Sequence, residues 1–175
     1  TNATGVTLSV PLSVSGTLTM TSGIINTTTT NLLTLGTATA AGILAGTPSA
    51  TNMVRGPFAR TIASANANTN YLLFPVGKVA YAPIWAAPAT TAATVMKAET
   101  FDSNTGTLNA AIANMSTNRR WELPLVSGTI SNINIRLGDA GIVTTSIPVQ
   151  APSASGEYTS SFGSVATAVA GVSTQ

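Results

Sequence analysis

From Val6 onward, aliphatic residues alternate with Thr and Ser: Val6, Leu8 and Val10, then Leu12 and Val14, Leu18 and Met20, Ile24, and Leu33 and Leu35. A period of two sends successive side chains to opposite faces of an extended chain, so each stretch is expected to be a strand with one buried face. Gly5, Gly16, Gly23 and Gly36 interrupt the pattern at short intervals and keep each strand to a few residues. No helical spacing intervenes. The pieces suit either a meander or the coils of a solenoid in which each turn stacks on the last. The mutual likeness of Leu12-Ser13-Val14-Ser15-Gly16, Leu18-Thr19-Met20-Thr21-Ser22-Gly23 and Leu33-Thr34-Leu35-Gly36 favours the solenoid.

Thr27, Thr28, Thr29 and Thr30 form the one low-complexity run. In a strand four consecutive threonines would point alternately to opposite faces, which argues against a single ordered plane of hydroxyls. The run reads as a loop or a β-prone segment. Residues 38–50 turn to Ala, Gly, Thr and Pro and read as a crossing loop, dividing the chain into a solenoid-like or meander segment over 1–50 and a second part over 51–175.

In that second part the strand candidates are 52–54, 71–74, 81–85, 93–101, 120–125, 130–137 and 165–169. Turns are expected at Gly56-Pro57, Pro75-Val76-Gly77, residues 102–106, Ser127-Gly128, residues 138–141 and Gly156. Strands spaced every 8 to 20 residues by turn residues describe an antiparallel β-sandwich. Residues 108–115 are the exception: Leu108, Ala111, Ile112 and Met115 fall at i, i+3, i+4 and i+7. They predict a short helix whose Met115 docks on the core. The expected fold is all-β, a short β-solenoid-like N-terminal part packed on or leading into an antiparallel β-sandwich.

Composition narrows the chemistry. The 175 residues include no His and no Cys, so a Ser-His-Asp triad, a Cys nucleophile, a His- or Cys-ligated haem, an iron–sulfur cluster and an ordinary zinc site are excluded. Only 7 % of residues are charged and the net charge is +2. The seven cations, Arg55, Arg60, Lys78, Lys97, Arg119, Arg120 and Arg136, make no basic stripe of the kind a nucleic-acid partner requires. A surface built from Thr, Ser and Asn in place of charge suits a secreted protein, or an assembly in which self-repulsion would be unwelcome. No run reaches the roughly 18 apolar residues of a membrane-spanning helix. The opening Thr1-Asn2-Ala3-Thr4 lacks the basic and apolar regions of a signal peptide, so the sequence is expected to start inside a longer or processed protein.

Three phrases stand out: Asn52-Met53-Val54-Arg55-Gly56-Pro57-Phe58-Ala59-Arg60-Thr61, Tyr71-Leu72-Leu73-Phe74-Pro75-Val76-Gly77-Lys78-Val79-Ala80-Tyr81-Ala82-Pro83, and Asn118-Arg119-Arg120-Trp121-Glu122-Leu123. In this order, behind a Gly/Thr-rich lead, they resemble a repeat module of very large Bacteroidetes surface proteins of the adhesin and gliding-adhesin type. The resemblance spans residues 12–165. It implies an extracellular or cell-surface location, export by the type IX route, and neighbouring repeats or copies of the same chain as partners.

The aromatic and basic residues Tyr81, Trp85, Arg119, Arg120 and Trp121 are the binding candidates. Exposed, they would form a stacking platform for surface glycans or a cation–π clamp. The plainer alternative is a core Trp flanked by solvated or carboxylate-paired arginines. The carboxylates Glu99, Asp102, Glu122, Asp139 and Glu157 show no pairing typical of a glycosidase, so no catalytic residue and no enzymatic activity are expected. No metal site or cofactor is expected either. Calcium alone among metals suits such loops, with Asp102-Ser103-Asn104 and Gly138-Asp139-Ala140-Gly141 as partial sites. The leading expectation is a structural repeat or filament subunit. The alternative is a carbohydrate-binding module using exposed aromatics.

Overall fold

A computed structural model describes residues 2–143, 146–161, 166–169 and 172–174. The chain is all-β, with no helix among the described residues. The first strands are short: β1 (Val6–Thr7), β2 (Leu12–Val14), β3 (Thr17–Met20), β4 (Ile25–Asn26), β5 (Leu33–Leu35), β6 (Ile43–Gly46), β7 (Val54–Arg55), β8 (Phe58–Ile62), β9 (Leu72–Phe74) and β10 (Val76–Gly77). All of these except β9 pair in parallel with a strand one pass along the chain, whereas β9 (Leu72–Phe74) is paired antiparallel with a later strand. β1, β4, β7 and β10 form one ladder, β2, β5 and β8 a second, and β3 and β6 a third. In-register parallel pairing stacks like on like: Val6, Ile25, Val54 and Val76 make one column, and Leu12, Leu33 and Phe58 another. These ladders continue across position 50 as far as Gly77.

Corners stack as well as strands. Gly56 adopts φ +120°, and a Cβ there would lie 2.4 Å from the carbonyl oxygen of Thr27 in the corner beneath. Only glycine permits both the left-handed backbone and that approach. Thr27 is buried and its hydroxyl donates to the Pro57 carbonyl at 2.7 Å, while Thr28, Thr29 and Thr30 are exposed. The threonine run is therefore a corner loop with one anchoring hydroxyl.

Pairing then changes sense. β11 (Ile84–Pro88), β12 (Thr94–Phe101), β13 (Thr107–Leu108), β14 (Arg120–Glu122), β15 (Leu125–Ser127) and β16 (Ile133–Gly138) follow. β12 runs antiparallel to β8 and to β14, so the second parallel ladder passes into antiparallel pairing within one six-stranded sheet, β14-β12-β8-β5-β2 with β15 beside β12. A five-stranded sheet places β11 between β9 and β16, with Val172–Thr174 and Ala166–Val169 beyond. Of the expected tail strand 165–169, Val165 lies outside the described residues. Phe58, Ile62, Met96, Phe74, Val76 and Ile84, all fully or almost fully buried, bring three sheets to one hydrophobic cluster.

Two local expectations are corrected. Pro75-Val76-Gly77 is not a turn: Pro75 ends β9, and Val76 and Gly77 immediately pair with Val54 and Arg55. Residues 108–115 are not helical. Leu108 pairs with Tyr158, and Asn109 then makes a local turn in which its side-chain oxygen accepts from the Ala111 N–H. An Asn at that point offers the backbone an alternative to the helix. Met115 is half-buried and is not part of the core cluster.

Candidate functional site

β14 carries three of the residues singled out in the sequence, or lies next to them, and β12 positions them. Across these strands Glu99 faces Glu122, Thr100 faces Trp121 and Phe101 faces Arg120. Two like charges directly opposite would repel, and each has its own cation. Lys78 Nζ lies 2.7 Å from Glu99, and Arg120 donates to Glu122 at 3.1 Å. The Arg120 guanidinium also stacks over the Phe101 ring at 3.8 Å and donates to the Ser103 carbonyl. Arg119 bridges two acids, its Nε on Asp139 and its Nη1 on Asp102. Asp102 further accepts from the Val79 N–H, and Asp139 from the Gly141 N–H. The two loops weighed for calcium are thus joined by a guanidinium. Among the described residues no group of three or more acidic side chains converges.

Trp121 is half-buried against the core cluster, and its indole N–H donates to the Ala82 carbonyl, which also accepts from Thr100. Tyr81 and Trp85 come together elsewhere, in a cleft of about 230 Å³ lined with Pro83, Gly138, Asp139 and Ala140. Gly138 lets this wall close: a Cβ there would lie 2.9 Å from the Pro83 ring and 3.0 Å from the indole of Trp85. Burial pushes the Tyr81 hydroxyl pKa up to about 12. The five candidates therefore divide. Tyr81 and Trp85 share a cleft and Arg119 reaches its Asp139 wall, whereas Trp121 and Arg120 are held by β12 and the core.

Arg60 was not singled out from the sequence. In β8, Phe58, Arg60 and Ile62 share one face by strand alternation, and Phe58 and Ile62 are core residues, so Arg60 points inward. It is 8 % exposed. Its Nη1 donates to the Leu73 carbonyl at 2.9 Å, and its Nε is buried with no partner. Desolvation lowers its pKa from the usual arginine value. The side chain lines a cavity of about 220 Å³ with Leu44, Gly46, Pro48, Tyr71, Leu72 and Leu73. The signal was in the sequence: one cation at an inward position of an otherwise apolar alternation.

No helix among the described residues is long and apolar enough to cross a membrane. No protein-family model, no curated protein and no solved structure matches this chain.

Proposed function

We propose that this chain is a structural and adhesive extracellular module, a repeat or subunit of a bacterial surface adhesin or filament. It acts by extent and stacking, its parallel strands being coils of a short β-solenoid that leads into an antiparallel, sandwich-like part. The observation that carries this reading is the unfinished end of the parallel ladders. Among the described residues β1 and β2 are edge strands of their sheets, and β3 has only β6 beside it. Leu12 donates to Leu32 and Val14 accepts from Gly36, so the backbone groups of Ser13, the residue between them, face away from β5. Thr7 stands in the same relation between Val6 and Leu8. Val6, Val10 and Leu12 are 45–64 % exposed on this end, and the first charged residue of the chain is Arg55. Natural sheets usually protect such edges with charge. An uncharged edge with free donors and apolar side chains suits strand addition by a neighbouring copy.

Ser13→Pro tests this. Proline at an edge position whose N–H faces outward leaves the native ladder intact, and Ser13 is the residue of β2 whose N–H faces outward. Wild-type protein is expected to elongate with concentration in sedimentation and electron microscopy. The variant should melt at the same temperature and stay monomeric. A wild type that remains monomeric at millimolar concentration would refute the reading.

A second reading, a carbohydrate-binding module, is favoured only by the cleft that pairs Tyr81 with Trp85. It expects Trp85 fluorescence to be quenched by acrylamide and to shift with glycans, with Trp85→Ala losing the response. An unchanged spectrum across a glycan panel would dismiss it.

A further inference from the structure

Two charged residues rank among the buried ones, and they are treated differently. Glu99 has Lys78 at 2.7 Å. Arg60 has a single backbone carbonyl, from Leu73, and no acid. The chain has none to spare. Of its five carboxylates, Glu99 is paired with Lys78, Asp102 and Asp139 with Arg119, and Glu122 with Arg120, while Glu157 accepts from Asn109. No residue outside the described set is an Asp or Glu. A guanidinium carries five N–H donors in a planar fork. Here the Nε hydrogen is sealed in without an acceptor and Nη1 spends one on Leu73. Charge removed from water without a counter-charge is among the costliest arrangements a fold can hold. The parallel stacking makes it more conspicuous, because Arg60 continues the column Val14, Leu35. An aliphatic residue would have completed that column at no electrostatic cost.

The cavity gives the charge something to face. Its walls are the aliphatic Leu44, Leu72, Leu73 and Pro48, with Tyr71 as the aromatic side. The Arg136 guanidinium stacks 3.7 Å from the centre of the Tyr71 ring, and its own Nε is also buried without a partner. Two cations thus flank this region, and among the described residues neither is paired with a carboxylate.

We propose that the cavity between β6, β8 and β9 binds the carboxylate of a small organic acid, with Arg60 as its counter-ion and Tyr71, Leu44 and Leu72 against its carbon skeleton. A carboxylate fits better than a phosphate because Arg60 is the one charged residue that lines the cavity, and a dianion would leave net negative charge there. The guanidinium fork matches a carboxylate in plane and in spacing. A space of about 220 Å³ is smaller than the roughly 300–1,000 Å³ of drug-sized sites. The ligand is accordingly one acidic sugar ring or a shorter free acid. This inference does not depend on assembly by stacking: Ser13 lies on another strand, and a monomer has the same cavity.

The test uses the whole chain with sodium glucuronate, sodium acetate, glucose, and sodium chloride at matched ionic strength. Binding is read by thermal unfolding and by the Arg60 Nε–H resonance in a ¹⁵N spectrum. Glucuronate is expected to raise the melting temperature by a few degrees at saturation and to shift that resonance, and glucose and chloride to do neither. Acetate matching glucuronate identifies the carboxylate alone as the recognised group, from a free acid. Acetate falling well short identifies an acidic sugar. Arg60→Met, which keeps the apolar stem, should weaken glucuronate binding about tenfold or more. Should that variant fail to fold, Arg60→Lys retains the charge without the fork and should bind several-fold more weakly. Equal responses in wild type and Arg60→Met, a response to glucose equal to that for glucuronate, or no response to either acid beyond that of chloride would overturn the proposal.

Discussion

The parallel and antiparallel regions bury their residues by different means. In the parallel ladders burial is supplied by the next strand of the ladder. Val6 is 47 % exposed at the open end, whereas Val54 and Val76 in the same column are fully buried. Leu12 is 45 % exposed and Leu33 and Phe58, stacked after it, are buried. In the antiparallel region burial comes from residues of several sheets meeting in one hydrophobic cluster, and the polar fittings are denser: every ion pair described lies between Lys78 and Asp139. Residues 1–54 contain no Lys, Arg, Asp, Glu or Tyr at all. One region is thus held by stacking and backbone pairing, the other by packing and a charge network, and β8 belongs to both.

That shared strand supplies the most damaging substitution. Phe58 stacks on Leu33 in the parallel sense, pairs with Ala98 in the antiparallel sense, and meets Phe74 edge-on at 6.1 Å between ring centres. Phe58→Ala is expected to cost about 3–5 kcal/mol. Because both regions draw on the same ring, far-UV circular dichroism and tryptophan fluorescence should lose their signals in a single urea transition at lower midpoint. Both tryptophans lie past β10. An early loss of ellipticity with the fluorescence transition unmoved would show that the regions unfold separately and that β8 does not couple them.

Gly56→Val follows, and acts on the parallel side alone. A branched Cβ is forced into φ +120° and against the Thr27 carbonyl, at a cost of about 2 kcal/mol or more. It should lower the urea midpoint less than Phe58→Ala. A midpoint equal to wild type would mean that the corner above Thr27 can open without disturbing the ladders. On the antiparallel side the counterpart is Arg119→Met, which leaves Asp102 and Asp139 facing each other without a cation. These groups are partly exposed, so about 1–2 kcal/mol is expected. The loss should shrink in high salt, where repulsion between the two acids is screened. Gly56→Val should show no such salt dependence.

Alternation alone made the short strands and their inward faces legible: Leu33, Leu35, Phe74 and the β12 strand fall where the period of two puts them. Pairing sense was less accessible. A period of two is the same for parallel and antiparallel strands, and nothing local told Val76 that its partner would be Val54. The short helix failed for a related reason, since i, i+3, i+4 spacing at residues 108–115 competed with an Asn109 turn and a distant strand at Glu157–Tyr158. Among the candidate residues, Trp and Arg identities were informative about stacking and ion pairing but not about which partners folding would bring. Arg119 meets acids 17 and 20 residues away. Arg60 is the reverse case. Its inward position was readable from Phe58 and Ile62, and what the sequence lacked was any indication that no carboxylate would reach it.

The smallest effect expected near neutral pH is also the most selective, because residues 1–54 of the parallel ladders carry no ionisable side chain. Burial raises the Tyr81 pKa to about 12 in the folded chain, against about 10 when unfolded. Below pH 10 both states keep the proton, so the group adds no pH dependence there. Between pH 10 and 12 the unfolded chain releases it while the folded chain retains it. The folded state then holds more protons, and stability must fall as pH rises. Melting temperatures measured between pH 9 and 11 should therefore decline more steeply in wild type than in Tyr81→Phe, and absorbance at 295 nm should show a tyrosine that ionises last. An equally steep decline in Tyr81→Phe would show that Tyr81 is not the source of the alkaline sensitivity. A decline that began below pH 9 would assign it to a group other than Tyr81, and none of the first 54 residues has a side chain that could supply it.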